Sequence, residues 1–244
     1  MRLGVIADIH GNVLALERVV ADLHQRAVDR VVNLGDCVSG PLWPRETADL
    51  LMTLGWPTIR GNHDRWVTDG LPGKKYPGDA YAFSALGRTG LEWLKSLPPS
   101  LELDGDIVAF HGRPDDDNAY LLENVEHGRL VQAPDEDIRG RTGSVRAKII
   151  LCAHSHISRH VQIDDMIFVN PGSVGQPAYI DTTSPAHVSE TGSPLARYSI
   201  IDFDAENAAI ESVAVQYDHV AAANRATQND SPSWARFLMT GFAG

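Results

Sequence analysis

Arg2-Leu3-Gly4-Val5-Ile6-Ala7-Asp8-Ile9-His10-Gly11-Asn12 is a short apolar run that stops abruptly in a carboxylate, an imidazole and an amide. An uninterrupted apolar segment of this length reads as a buried strand. The period then changes. Over residues 13–28, Val13, Leu16, Val20, Leu23 and Ala27 recur at helical intervals, with Asn12 placed to cap the helix. Residues 31–34 give a second strand ending in Gly35-Asp36, and residues 45–54 a second helix. Residues 57–59 begin a third strand that ends in Gly61-Asn62-His63-Asp64. Strand, helix, strand, helix, strand is the order of an α/β sheet.

Further along, residues 65–78 are rich in Gly, Pro and charge and read as loop, while 80–97 read as a helix stopped by Pro98-Pro99. Most of the remainder reads as strands. Residues 101–103 and 107–110 flank the hairpin signal Asp104-Gly105, 148–152 form another apolar strand, and 160–163 and 166–169 flank Asp164-Asp165. Residues 198–203 and 209–216 suggest a final hairpin, and Asp218 is placed to cap a short helix. Two segments, 112–143 and 175–196, have no periodic pattern and are expected to be long loops of the lid or binding kind. With no internal repeat and no clear linker, one domain over residues 1–244 is expected.

Hydrophobic residues make up 43% of the 244 and charged residues 22%, an ordinary globular balance. No apolar run approaches the ~20 residues that cross a bilayer. The first residues have no long apolar region or small-residue cleavage site, so a cytoplasmic location is expected. A net charge of −11 argues against a surface that holds nucleic acid by its phosphates. A small anionic substrate is still compatible with it, because bound cations reverse the local potential. Cys37 and Cys152 are expected to be reduced and to pack as small hydrophobes.

The positions of the metal-capable side chains carry the chemistry. Asp8 and His10 follow the first strand, Asp36 the second, Asn62, His63 and Asp64 the third, His111 the strand 107–110, and His154 and His156 the strand 148–152. Sites in open α/β sheets form at the carboxyl ends of strands, so adjacent strands would bring these groups to one rim. Singly, each has a structural explanation: a turn-forming Asp or Asn, or a hydrogen-bonded surface His. Turn chemistry does not require several separate strand ends to carry His. Mixed nitrogen and oxygen donors suit Mn, Fe, Zn, Ni or Co better than Ca. The donors are too many for one closed structural zinc site and enough for two metals sharing a carboxylate.

Asp8-Ile9-His10, Gly35-Asp36, Gly61-Asn62-His63-Asp64, His111-Gly112 and Ala153-His154-Ser155-His156 resemble, in order, the five motifs of calcineurin-like metallophosphoesterases. Asn170-Pro171-Gly172-Ser173 is similar to the small bacterial members. The resemblance implies a four-layer α/β/β/α sandwich of two mixed sheets flanked by helices, with two divalent metal ions, manganese favoured, along one edge. It implies that Asp8, His10 and His156 hold one ion, that Asn62, His111 and His154 hold the other, and that Asp36 bridges them. His63 would assist the leaving group, oriented by Asp64, while activated hydroxide attacks a small phosphodiester or phosphomonoester. The usual Gly at the start of the last motif is Ala153 here, which matters only if that position needs positive φ. Some proteins of this fold act instead as scaffolds without catalysis, usually after losing donors that this chain retains. Asp115-Asp116-Asp117 reads as a solvated acidic loop. Arg60, Arg65 and Arg113 receive no role, and His24, His127, His160, His187 and His219 read as ordinary.

Overall fold

The computed structural model describes residues 1–69, 76–204 and 207–244. The chain begins β1 (Arg2–Ile6), α1 (Val13–Gln25), β2 (Arg30–Asn33), α2 (Pro44–Leu54), α3 (Asn62–Thr68) and α4 (Pro77–Ser96), the last interrupted at Gly87. It continues through β3 (Ser100–Leu103), β4 (Ile107–Phe110), β5 (Glu123–Glu126), β6 (Arg129–Gln132), α5 (Asp135–Thr142) and β7 (Ile149–Leu151). Next come β8 (Arg159–Ile163), β9 (Met166–Asn170), β10 (Ala178–Asp181) and β11 (His187–Glu190). The chain ends with β12 (Ala196–Phe203), β13 (Ala208–Val215), α6 (His219–Gln228) and α7 (Pro232–Thr240).

Side-chain alternation along the strands builds the layers. The first sheet has the order β13-β12-β1-β2 and the second β3-β4-β7-β9-β8. Leu3, Val5, Val32 and Ile201 of the first sheet pack against Ile107, Ala109, Ile149, Leu151 and Val169 of the second. The neighbours that alternate with them face outward. Ile6, Tyr198 and Ile200 meet α1, α2, α4 and α6, whereas Phe110, Ile150, Cys152 and Phe168 meet Ile138 of α5. The result is the expected α/β/β/α sandwich. Among the described residues, no helix is long and apolar enough to cross a membrane.

The structure corrects several local expectations. Residues 57–59 form only an isolated bridge, Asn33 to Thr58, and Pro57 has no N–H with which to extend the ladder. Residues 62–68 are helical, so the loop expected over 65–78 begins later; its part over 70–75 lies outside the described residues. The two segments read as long loops contain α5 and a third sheet, β10-β11-β6-β5. These strands are only partly buried and carry few apolar residues, such as Glu-Asn-Val-Glu in β5, so they leave no strong apolar pattern.

The strands that end in donors run the same way. β1 and β2 are parallel in one sheet, as are β4, β7 and β9 in the other, so their carboxyl ends meet at one rim. Leu151, fully buried between the sheets, closes the strand leading to His154. Leu151→Ala should destabilise the protein by about 3 kcal/mol through loss of packing and a residual cavity. Urea unfolding followed by tryptophan fluorescence measures this, and a loss below about 1 kcal/mol would contradict tight inter-sheet packing at this position.

Candidate metal centre

The loops after β1 and β2 run side by side. His10 N–H donates to Asp36 O at 2.9 Å and Gly11 N–H to Cys37 O at 3.0 Å. The loops after β4 and β7 do the same, with Ala153 N–H donating to His111 O at 2.7 Å. The Asn170–Ser173 run fastens the two pairs together. Asn170 Nδ2 donates to Ala153 O at 2.9 Å, and Ser173 Oγ donates to Asp8 O at 2.7 Å. Asp8, His10, Asp36, His154 and His156 all have φ between 51° and 69°. Non-glycine residues seldom adopt this left-handed conformation, and it concentrates here at the residues whose side chains turn inward. Ala153 is not among the positive-φ residues, so its methyl group fits and the strain falls one residue later.

The side chains converge in two groups. Ligand atoms of Asp8, His10 and His156 lie within 4.8 Å of one another, as do those of Asp36, His111 and His154. Asp36 lies between the groups, its Oδ2 3.3 Å from His111 Nε2 and 3.8 Å from His10 Nε2. Three imidazoles are aimed by carbonyls: Nδ1 donates to Ser39 O from His10 (2.9 Å), to Leu34 O from His111 (2.7 Å) and to Gln176 O from His156 (2.7 Å). A carbonyl only accepts, so each Nδ1 carries a hydrogen and each Nε2 is the nitrogen turned inward.

This arrangement fits bound cations. His10 Nε2 and His156 Nε2 lie 3.2 Å apart, lone pair toward lone pair. That distance is close to the ligand separation of about 3.3 Å in a tetrahedral site with bonds near 2.0 Å. Asp8 Oδ1, Asn62 Oδ1 and His111 Nε2 are buried without a hydrogen-bond partner. An orphaned buried carboxylate oxygen is costly unless a positive charge meets it.

Electrostatics sharpen the point. Burial, reinforced by neighbouring imidazoles, pushes His10 down to about 3 and His154 down to about 4, so both are neutral donors at pH 7. His111 moves the other way. Burial opposes its charge, but the carboxylates of Asp36 and Asp8 outweigh that and raise it to about 10. Burial alone would raise Asp36 and Asp8. The surrounding imidazoles, chiefly His111 for Asp36 and His156 for Asp8, instead hold both below the usual carboxylate range.

His63 is half-buried beside this cluster, and its partner is not the one expected. Asp64 turns away: Oδ1 accepts from Cys37 N–H at 2.9 Å and Oδ2 from Gly61 N–H at 3.1 Å. It thereby clamps the second motif to the third. Both its oxygens are thus engaged by backbone donors, and the hydrogen bond of the neighbouring imidazole goes elsewhere. The carboxylate that meets His63 is Asp79 of α4, with Nδ1 to Oδ1 at 2.8 Å. Ser39 Oγ joins the same pair, 3.3 Å from His63 Nδ1 and donating to Asp79 Oδ1. Asp79 is 3% exposed. Its only sequence signal is an Asp in the first turn after Pro77, with nothing to link it to His63.

Other residues missed from sequence surround the donors. Tyr120 stacks on His154 at 5.0 Å, Tyr179 meets His156 edge-on at 4.8 Å, and the Tyr120 hydroxyl lies 2.7 Å from both Tyr179 Oη and His187 Nε2. His187, read as ordinary, thus belongs to the support of the centre. Asn62 Nδ2 donates to Asn118 at 3.2 Å. Gly61 is required sterically, since a Cβ there would lie 2.1 Å from Asp36 Oδ1. Of the remaining residues, Arg65 pairs with Asp117, accounting for one member of the acidic run. Cys37 and Cys152 are free and buried, and burial raises both thiols well above the usual range.

Two sheets thus bring two clusters of side chains able to hold divalent cations to one rim. The profile of the calcineurin-like phosphoesterase superfamily domain matches residues 1–191, and the chain belongs to that superfamily. An uncharacterised protein of Methanocaldococcus jannaschii is 29% identical over 252 residues, covering 95% of this chain and 94% of that one. A crystal structure of a metallophosphoesterase from Sphaerobacter thermophilus superposes with a TM-score of 0.77 at 23% identity, over 99% of both chains. A hypothetical protein from Pyrococcus horikoshii gives the same TM-score at 21% identity, over 100% of this chain and 99% of its own.

Because His111 holds a proton up to about pH 10, a cation taking its Nε2 must displace that proton. Manganese affinity of the metal-free protein should therefore rise with pH between about 6 and 9, with roughly one proton released from this ring. Calorimetric titration in buffers of different ionisation enthalpy reads the release. An apparent enthalpy that does not vary with buffer would contradict it.

Proposed function

We propose that this protein is a phosphoesterase that hydrolyses a small phosphate ester with the help of two divalent cations, manganese being the ion we favour. The observation that carries this reading is the pair of donor clusters meeting at Asp36, with buried donor atoms left without protein partners beside an open cleft. Asp8, His10 and His156 would hold one cation, Asn62, His111 and His154 the other, and Asp36 both. When bound, the cations would neutralise the ester's negative charge and lower the pKa of a water enough to supply hydroxide near neutral pH.

The chain's own contribution to bond breaking is His63. With Nδ1 hydrogen-bonded to Asp79, its Nε2 is the nitrogen free to give a proton to the departing oxygen. Burial opposes a charge on this ring, but Asp36 and the hydrogen bond to Asp79 prevail and raise its pKa above the ordinary value, favouring the acid form. Bound cations would oppose the Asp36 contribution, so Asp79 is the partner that keeps the proton available. Asp79 is a positioning residue in this scheme, and Asp64 a structural clamp.

Manganese should stimulate release of nitrophenol from bis-4-nitrophenyl phosphate, and Asp36→Asn should abolish most of it. A scaffold without catalysis would show a negligible rate that neither metal nor mutation changes, and that outcome would overturn the proposal. His63→Ala should retain both metals by elemental analysis and lose about 10²–10⁴-fold in kcat, the usual range for a general acid. The loss should be larger for alkyl than for nitrophenyl leaving groups, which need less protonation. A uniform loss across leaving groups would remove His63 from this role.

Asp79→Asn should lower kcat by about 10–100-fold while preserving metal content, and it should steepen the dependence on leaving-group pKa. Asp64→Asn should act mainly on thermal stability. If the two variants exchanged these effects, the assignment of His63's partner would be wrong.

A further inference from the structure

Away from the donor clusters, the fold leaves a guanidinium uncompensated where the first sheet meets the second. Arg197, half-buried in β12, has its Nε enclosed without a hydrogen-bond partner. Burial lowers its pKa, and no carboxylate lies close enough to oppose that. Carboxylates on neighbouring segments are already taken. Arg26 engages Glu211 of β13 at 2.7 Å, and Arg159 engages Glu123 of β5 at 3.1 Å.

Hydroxyls surround this side chain. Alternation along β12 puts Arg197 and Ser199 on the face of Ile201, which is turned toward the second sheet. Ser199 is fully buried, and its Oγ also has no hydrogen-bond partner. It lies opposite Ser212 of β13, while Arg197 lies opposite Ala214. Ser158 Oγ, just before β8, donates to Ser212 Oγ at 3.2 Å, which leaves the Ser212 hydrogen free. Gly172, with φ +79°, lets the two segments close. A Cβ there would lie 3.2 Å from Arg197 Cβ and 3.2 Å from Ser158 Cβ.

A charge drawn out of water without a partner is costly. A tetrahedral oxyanion meets each part of what is missing. Its charge compensates Arg197, two of its oxygens match the guanidinium fork, and the others accept from serine hydroxyls. An apolar ligand would leave the charge unmet, and a cation would be repelled. A planar carboxylate could pair with the fork but would leave the hydroxyls unused.

We propose that Arg197, Ser199 and Ser212, braced by Ser158, form a second ligand site that binds a phosphate group, free or esterified. The site is separate from the donor clusters and does not rest on the phosphoesterase reading above. It is nevertheless joined to them through the backbone. Arg197 N–H donates to Ser173 O at 2.9 Å, and Ser173 Oγ donates to Asp8 O at 2.7 Å. A phosphate held by Arg197 therefore bears on the segment that fastens the Asp8 loop.

The test titrates the manganese-loaded full chain calorimetrically with inorganic phosphate, sulfate and glycerol 3-phosphate. Each of these can also meet the metal ions, so the reading is the difference between wild type and Arg197→Met. Wild type should take up one equivalent of inorganic phosphate, and one of sulfate, that Arg197→Met binds at least about tenfold more weakly. That is the usual loss on removing a charged hydrogen-bond partner. The same difference with glycerol 3-phosphate identifies a phosphate ester as ligand, and its absence there identifies the free ion. Ala214→Glu places a carboxylate opposite Arg197. It should remove the extra equivalent and raise Tm, and it decides the matter if Arg197→Met does not fold. Identical titrations of wild type and both variants would overturn the proposal. So would a dimer in sedimentation that Arg197→Met dissociates, since an acidic group of a second copy would then be the partner of Arg197.

Discussion

Asp8 and Asp36 are at most 1% exposed, yet their side chains lie among four imidazoles at the junction of two sheets. Removing two carboxylates from water costs several kcal/mol each unless a matching charge or hydrogen bonds replace the solvent. The protein provides part of that replacement through His111 and the backbone amides of His63 and His154. Asp8 Oδ1 and Asn62 Oδ1 nevertheless accept no hydrogen bond from the protein. Concentrating unmet electron pairs in a buried cluster makes it attractive to divalent cations, and much of the surrounding structure serves to prevent the cluster from relaxing.

Three devices resist that relaxation. Carbonyls of Ser39, Leu34 and Gln176 fix the ring orientations of His10, His111 and His156. The His111 bond also ties the second sheet to the first. Asn170 and Ser173 fasten the loop after β7 to the loop after β1, which explains their place at and just beyond the end of β9. The third sheet adds Tyr179 and His187, joined to Tyr120 by short hydrogen bonds that hold the Tyr120 ring stacked on His154 and the Tyr179 ring edge-on to His156. Left-handed backbone at five donors is tolerated because these contacts over-determine it.

The convergence of these side chains could be read from sequence because all of them but Asn62 follow a short apolar strand, and parallel strands bring their carboxyl ends together. The two core sheets were readable for the same reason. The third sheet was not, since strands such as Glu-Asn-Val-Glu at 123–126 bury too little to impose alternation. Asp79 was invisible on different grounds. It reaches His63 across the gap between two helices, and no spacing rule connects a first-turn Asp to an imidazole sixteen residues earlier. Asp64 looked like the partner because it is adjacent, but adjacency in a helix places side chains about 100° apart and does not pair them.

The separation of the donors along the chain also governs when the centre can exist. His10 meets His156 across 146 positions, and β1 lies between β2 and β12, the latter beginning only at Ala196. Contacts of such long range are slow to form, because loop-closure entropy precedes any return from them. During synthesis Asp8, His10 and Asp36 emerge first and wait for most of the polypeptide before their counterparts arrive. Metal loading would therefore be a late event that caps a nearly finished fold, in contrast to small zinc modules whose ion nucleates the structure.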